Sequence, residues 1–435
     1  MRIVADFHIH SKYARATSPQ CDIDGLVEGA KTKGIDLMGT GDFTHPEYFN
    51  EIKSRLQGKD ENSDGRSADG IHSYKGIKYI LSAEVCVIYP EKTGQGEEEK
   101  SKKMHHVLLA PSLEVVSQIN ERLGKYGNLK EDGRPILKMS SAALAEELFS
   151  ISNEIMIIPG HIWTPWFSVF GSKAGVNTME EAFENYADRI YAIETGLSSD
   201  PGMNWMLSSL DRFTLLSNSD AHSLGKLGRE ANVFDLEVSE SKPLDYKRMT
   251  DAIKTRKGFV KTYEFYPEEG KYHYDGHRKC NVLLSPFEAM QKKNICPVCK
   301  RKLTIGVMHR IAELADRKLG FTPEKAVPFE RIVPLQTVIA KTLKKSDVAI
   351  AVGEEYSKII RYFGNEFAVF EANQEQLRLA TTPEIAKSIM RVKEGKIKWI
   401  PGYDGVFGEL VLDDDAGSSK TKKAVDKKQK SLSDF

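Results

Sequence analysis

An acid-and-histidine pair stands at each end of the front half of the chain, Ala5-Asp6-Phe7-His8-Ile9-His10 at the start and Ser217-Asn218-Ser219-Asp220-Ala221-His222 downstream. Between them, single ligand-type residues adjoin short apolar runs. Asp42 follows Met38-Gly39-Thr40-Gly41, Glu84 follows Tyr79-Ile80-Leu81-Ser82-Ala83, and His161 follows Ile157-Ile158-Pro159-Gly160. Glu194 follows Tyr191-Ala192-Ile193, and His106 or its neighbour His105 leads into Val107-Leu108-Leu109. His8 and His10, two apart on a strand, present both rings to one face. Read alone, each of these residues is a turn former or a satisfied polar group. As a set, at the end of nearly every strand, they have the layout of a multi-metal hydrolase site on the rim of a β/α barrel.

The apolar pattern agrees. Residues 3–10, 35–40, 77–87, 104–110, 155–159, 190–194 and 214–217 read as buried strands. Residues 22–33, 113–123, 140–150 and 245–257 read as helices, with Asp22 and Ser140 as N-caps. Seven strands interleaved with helices predict a parallel α/β sheet, closed or nearly so. The polar stretches 58–70 and 91–103 read as surface loops. At 435 residues and 40% hydrophobic content the chain has room for two or three domains. Its 62 basic and 62 acidic residues cancel, so contact with nucleic acid must come from a local patch. The first residues run straight into a core strand, and no apolar stretch approaches spanning length. Five cysteines, three of them clustered, fit a metal site in an intracellular protein better than a disulfide scaffold. The expectation is a cytoplasmic monomer without membrane contact, associated with the nucleoid when on DNA.

Beyond the barrel, His277-Arg278-Lys279-Cys280, fifteen residues, and then Cys296-Pro297-Val298-Cys299 have zinc-ribbon spacing. His277, Cys280, Cys296 and Cys299 suit a closed tetrahedral structural Zn²⁺, with His309 as an alternative fourth ligand. A basic cluster that includes Lys271, Arg278, Lys292 and Lys300 surrounds these knuckles. Residues 334–343 and 383–394 read as helices and 367–371 as a strand, in an accessory region without a catalytic signature. Residues from 413 on lack an apolar pattern and are expected to be disordered. There Gln429, Leu432 and Phe435 resemble the PIP box with which DNA-processing enzymes dock on a sliding clamp.

His8-Ile9-His10-Ser11, Thr40-Gly41-Asp42, Ser82-Ala83-Glu84, His106-Val107-Leu108, Pro159-Gly160-His161 and Ser219-Asp220-Ala221-His222 resemble, as a set, the successive motifs of the PHP (polymerase and histidinol phosphatase) family. That resemblance implies a distorted (β/α)7 barrel holding two or three ions, usually zinc, with Mn²⁺ or Mg²⁺ in part, and hydrolysing phosphoesters. It implies that His8, His10, Glu84 and Asp220 hold one ion and that Glu84, His106 and His161 hold a second. Asp42 and His222 remain for a third ion, because Arg15, Ala16 and Thr17 stand where the family usually has another ligand. Barrel, ribbon and helical region together resemble the endonuclease Q family over nearly the whole length, as domains 1–262, 263–320, 321–412 and a tail 413–435. The resemblance implies a DNA repair endonuclease in which metal-activated hydroxide cuts 5′ of a deaminated base (deoxyinosine, deoxyuridine) or abasic site, leaving 3′-hydroxyl and 5′-phosphate ends. Damaged DNA and a sliding clamp would be its partners. His8, His10, Glu84 and Asp220 would be catalytic, and Lys12, Arg15, Trp163, Trp166 and Glu194 would meet substrate. The alternatives are a small-molecule phosphatase of the histidinol-phosphate type and a non-catalytic clamp-bound adaptor.

Overall fold

A computed structural model describes residues 1–56, 70–91, 101–239 and 241–412. The expected loops at 58–70 and 91–103 fall largely outside these residues, and the expected clamp motif Gln429, Leu432 and Phe435 lies wholly outside them. The chain divides into two compact units. One comprises residues 1–199, 212–265 and 327–330, the other residues 200–211, 266–326 and 331 onward.

The first unit is a mixed α/β structure. Its strands are β1 (Arg2–Asp6), β2 (Leu37–Gly39), β3 (Ile71–Tyr74), β4 (Ile77–Pro90), β5 (Ser101–Ala110) and β6 (Ile136–Leu137). They continue with β7 (Met156–Pro159), β8 (Ala192–Glu194), β9 (Thr214–Leu216), β10 (Ala231–Asp235) and β11 (Phe259–Glu264). The main sheet runs in the order β11-β10-β1-β2-β4-β5-β7, with β3 and β6 also paired to β4, while β8 and β9 form a separate pair. The expected all-parallel sheet is corrected. β1–β2, β2–β4 and β8–β9 are parallel, but β1–β10, β10–β11, β4–β5 and β5–β7 are antiparallel. No helix was expected between β4 and β5. A parallel crossover needs such an element, whereas a direct return places the next strand antiparallel.

The helices form where caps and apolar spacing place them. Asp22, Ser140 and Asp245 accept from the backbone N–H three residues on and start helices Ile23–Lys33, Ser141–Ile151 and Tyr246–Thr255. Met249, Ala252 and Ile253 of the last helix pack with Ile3, Ala5, Phe7, Leu37 and Val107 of the sheet in one buried cluster. Each large apolar side chain buried in this way contributes roughly 1.5–3 kcal/mol, so the inner strand ends are fixed before any polar group is placed on them.

The second unit joins a small Cys/His-containing region to a helical bundle. Helices Leu335–Leu343, Ile350–Phe363, Gln374–Ala380 and Pro383–Lys393 bury Val338, Ile339, Val352, Ile359, Leu377, Ile385 and Ile389 together. The expected strand at 367–371 is instead helix Glu366–Glu371, started by Asn365, whose side chain accepts from Ala368 N at 2.9 Å. A run as short as Phe-Ala-Val-Phe has no period that separates strand from helix, and the cap decides.

Candidate metal centre

Five segments of the first unit converge on Glu84. Ile9 bridges Ala221 in parallel register, and the bonds His10 N to Ala221 O (3.0 Å) and Asp220 N to His8 O (2.9 Å) lock the two outer motifs together. His8 and His10, flanking Ile9, therefore turn the same way. Their Nε2 atoms stand 3.4 and 3.2 Å from Glu84 Oε2, and 3.6 and 3.1 Å from Asp220 Oδ1. Ligands about 2.1 Å from one tetrahedral ion are roughly 3.4 Å apart, so the spacing is that of an ion's coordination shell. His8 Nε2, His10 Nε2 and Asp220 Oδ1 are buried without a hydrogen-bond partner among the described residues. Three buried polar atoms aimed at one point are costly to leave unpaired, and a cation satisfies all three.

Glu84 Oε1 faces a second set. His105 Nδ1 lies 2.7 Å and His161 Nε2 3.2 Å from it, and the two ring nitrogens are 3.1 Å apart. The carboxylate thus divides its oxygens between two groups of donors.

His105, not the expected His106, meets Glu84, and sheet register explains why. Cys86 pairs with His105 and Val85 with His106. Residues 84 and 86 share a face of β4, and a directly opposite residue shares that face too. His106 is on the other face, where its Nε2 lies 2.8 Å from Ser141 Oγ and its ring packs on Phe183. Burial drives the pKa of His106 down to about 3, with His105 reinforcing it. Burial also lowers that of His105, to about 4 against the pull of Glu84.

Carboxylates stand behind the first pair. Glu194 Oε1 lies 3.0 Å from His8 Nδ1, and Asp42 Oδ1 lies 3.0 Å from His10 Nδ1. Such partners fix tautomer and ring orientation. Burial works against protonation of His8 and His10, yet their surrounding carboxylates hold both pKa values well above the ordinary range. Burial likewise opposes ionisation of Glu84 and Asp220. The histidines outweigh it, joined for Glu84 by Arg134, and both carboxyls titrate below their usual range. Asp42, His161 and Asp220 all have positive φ (48°, 29° and 47°), a left-handed conformation that non-glycine residues hold at a cost. Gly196 lets the chain pass His161, since a Cβ there would come within 2.4 Å of the His161 Cβ.

Other expected residues fall elsewhere. Asp42 and His222, the pair expected for a third ion, belong to no group of three or more donors among the described residues. Asp42 Oδ2 accepts from Ser11 N (2.6 Å) and Ser11 Oγ (2.7 Å), which with the bond to His10 commits both oxygens. The His222 ring lies against that of His10, centroids 4.4 Å apart and planes tilted by 47°, and its Nδ1 lies 3.0 Å from Asp220 O. Trp163 is 1% exposed and packs on Phe170, so its place is in the core, whereas Trp166 in the same loop is 41% exposed. Lys12 is tied to Glu51 at 3.0 Å, while Arg15 is 78% exposed. Sequence reading missed Asn218, which donates to Glu194 Oε1 at 2.9 Å, and Arg134, whose Nη1 donates to Glu84 Oε2 at 3.1 Å. Arg134 lies in a polar loop where nothing marks one cation over its neighbours.

In the second unit His277, Cys280, Cys296 and Cys299 place their donor atoms within 4.8 Å of one another. The first knuckle interrupts a hairpin of Asp275–His277 and Val282–Leu284. The second is closed by Cys296 N to Arg301 O (2.8 Å) and Lys300 N to Cys296 O (3.0 Å). His309, the alternative ligand, is 2.6 Å from Asp275 Oδ2 instead. Three thiols and an imidazole match the donor set of a structural zinc.

No protein-family model matches the chain. The uncharacterized protein YqxK of Bacillus subtilis is 30% identical over 430 residues, covering 94% of this chain and 99% of YqxK. The uncharacterized protein MJ0043 of Methanocaldococcus jannaschii is 30% identical over 251 residues, 57% of this chain and 31% of that protein. The crystal structure of the lesion-specific endonuclease PfuEndoQ from Pyrococcus furiosus matches with a TM-score of 0.82 at 28% identity, over 98% of each chain. A crystal structure of endonuclease Q with a 27-mer duplex substrate carrying an abasic lesion at the active site matches with a TM-score of 0.81 at 28% identity, over 97% of this chain and 100% of that one.

Proposed function

The chain belongs to one family with YqxK and resembles endonuclease Q over 98% of its length, and from that premise we propose that it is a metal-dependent DNA repair endonuclease acting beside damaged bases. The observation that carries this reading is Glu84, whose two oxygens face two separate sets of histidines. That is an arrangement for two ions sharing one phosphodiester.

His8, His10, Glu84 and Asp220 would hold one ion, and Glu84, His105 and His161 the other. Bound there, divalent ions lower the pKa of water and neutralise charge on the phosphate. Zinc suits the imidazole-rich donors. Asp42 and Glu194 hold His10 and His8 in position through Nδ1, which aims Nε2 of each ring at the ion that would displace its proton. Asp220, its side chain 27% exposed, is the member of the first set most open to substrate. In the reaction a water oxygen joins phosphorus and the bond to the 3′ oxygen on the 5′ side of the lesion breaks. That oxygen takes a proton, giving 3′-hydroxyl and 5′-phosphate ends. Access to a damaged base in a duplex requires its extrusion. Trp166, exposed just beyond His161, is the aromatic candidate for that contact, and Arg15 the candidate for the backbone phosphate. His277, Cys280, Cys296 and Cys299 would bind a structural zinc, and Gln429, Leu432 and Phe435 would dock on a sliding clamp.

The test incubates full-length protein and zinc or manganese with end-labelled duplexes bearing inosine, uracil, an abasic analogue or no lesion. Cutting 5′ of the lesion alone is expected. Equal cutting of the intact duplex would overturn lesion specificity, and no cutting of any duplex would overturn the nuclease.

A further inference from the structure

The loop that precedes β6 carries a fixed cation to the bridging carboxylate. Gly133 sits against Asp42, where a Cβ would come within 2.5 Å of Asp42 Oδ2 and 2.9 Å of Ala14 N, so the loop reaches this depth only because residue 133 has no side chain. Gly133 N donates to Tyr13 O (3.0 Å), Thr44 Oγ1 donates to Gly133 O (3.1 Å), and Cys86 N donates to Pro135 O (3.0 Å). Asp132 Oδ1 accepts from Arg134 N at 3.2 Å and from Arg15 N at 3.1 Å. Residues on both sides of Arg134 are thus pinned to the walls of the site.

The Arg134 side chain makes one hydrogen bond among the described residues, from Nη1 to Glu84 Oε2 at 3.1 Å. That oxygen is the one facing His8 and His10. With its side chain 27% exposed, the guanidinium is neither sealed in the core nor free in solvent. Asp220 and Asp132 act on its charge, and that charge in turn acts on His105 and His222. A guanidinium has five N–H donors in a planar fork that matches phosphate oxygens, and it stays charged at every working pH. A residue needed only to neutralise Glu84 would use more of that fork on Glu84. Here Asp42, the carboxylate expected for a third ion, accepts from His10 and Ser11, and Arg134 is a permanent cation bonded to Glu84 itself, whereas Arg229 bonds the backbone carbonyls of Ser219 and Asp220.

We propose that Arg134 is a catalytic residue. Its guanidinium binds a non-bridging oxygen of the scissile phosphate and stabilises the charge that develops there, in the place a third metal ion would take. The inference rests on the phosphodiesterase reading above. Removing one such donor from a preorganised site typically costs about 10²–10³-fold in kcat.

The experiment compares the wild type, Arg134→Gln and Arg134→Lys in full-length form on a single-lesion duplex. It records kcat, affinity for the duplex by fluorescence anisotropy and metal content by mass spectrometry. For Arg134→Gln, kcat is expected to fall about 10²–10³-fold while metal content is unchanged and duplex affinity shifts less than about threefold. Arg134→Lys recovers only part of the loss, because a point charge lacks the fork. Guanidinium ion added to Arg134→Gly restores part of the rate. A kcat within about threefold of wild type in Arg134→Gln would overturn the proposal, and so would metal loss in step with lost activity, which would reduce Arg134 to a support for Glu84. If the wild type cuts no duplex, the function reading itself fails, a distinct result.

Discussion

The His/Asp/Glu cluster of the first unit gathers its donors from five segments spread between residues 8 and 220, whereas the Cys/His cluster of the second takes all four from residues 277–299. The first is rich in charge. Two of its histidines have carboxylates behind them, Glu84 divides its oxygens between two groups, and Asp220 stays partly open. The second closes four soft donors around one point with no carboxylate among them. An open, charged shell suits chemistry on a bound water, and a closed thiolate shell suits holding a fold together. On the proposed function, one chain uses the same kind of donor crowding for two purposes, and the separation can be tested cluster by cluster.

The largest effects should dissociate the two. Asp220→Ala is expected to lower cleavage by about 10³-fold or more with the thermal transition little changed. Cys296→Ser should strip the second cluster of zinc and drop the melting temperature of its unit, leaving the metal of the first cluster in place. Zinc content and calorimetry on both variants check the contrast, and parallel losses in both would break it.

The next prediction sharpens the first cluster. His105→Ala should cut activity about 10²-fold, in the range of a lost preorganised group, and release metal. His106→Ala should keep the metal and cost about 2–5 kcal/mol of stability, for the cavity left beside Phe183 and the lost bond with Ser141. Paired metal analysis and denaturant melts decide between the neighbours.

Smaller still, Asp42→Asn should weaken metal affinity by about 10–100-fold while His10 remains in place, as loss of an orienting carboxylate does. Competition with a chromophoric chelator measures it. Removal of a full ion equivalent at saturating metal would instead make Asp42 a direct ligand.

The narrowest effect, confined to acid pH, belongs to the second unit. His273 is buried against Tyr274, its Nδ1 has no partner among the described residues, and burial lowers its pKa to about 4. In the unfolded chain it titrates near 6.5, so its contribution is complete above that pH and lost as pH falls from about 6.5 towards 4. His273→Phe should flatten the melting temperature of this unit across that window, and an unchanged slope would remove His273 from the account.

How much was legible follows from how local each arrangement is. The knuckles and the His8/His10 pair are two- and three-residue spacings, and sequence alone places them. His105 and His106 are adjacent and chemically alike, and only the register of β4 on β5, a contact across the sheet, turns one inward. Strand direction was misread for a similar reason, because apolar runs do not carry a sense of direction and the return from β4 to β5 does. Arg134 and Asn218 had no signal, being a loop cation and a polar residue whose importance comes from partners far along the chain, Glu84 and Glu194. Asp42 stands out in the sequence for its carboxylate, but its contacts with Ser11 and His10 exist only in three dimensions.

The proposed bridging of two ions by Glu84 is tested most directly by Glu84→Gln, with metal content and cleavage of a single-lesion duplex measured on the same preparation. The amide cannot supply an anionic oxygen to both histidine sets, so the variant is expected to lose the metal of the first unit, keep the zinc of the Cys/His cluster and fail to cut. Full metal content with wild-type cleavage would contradict a shared site.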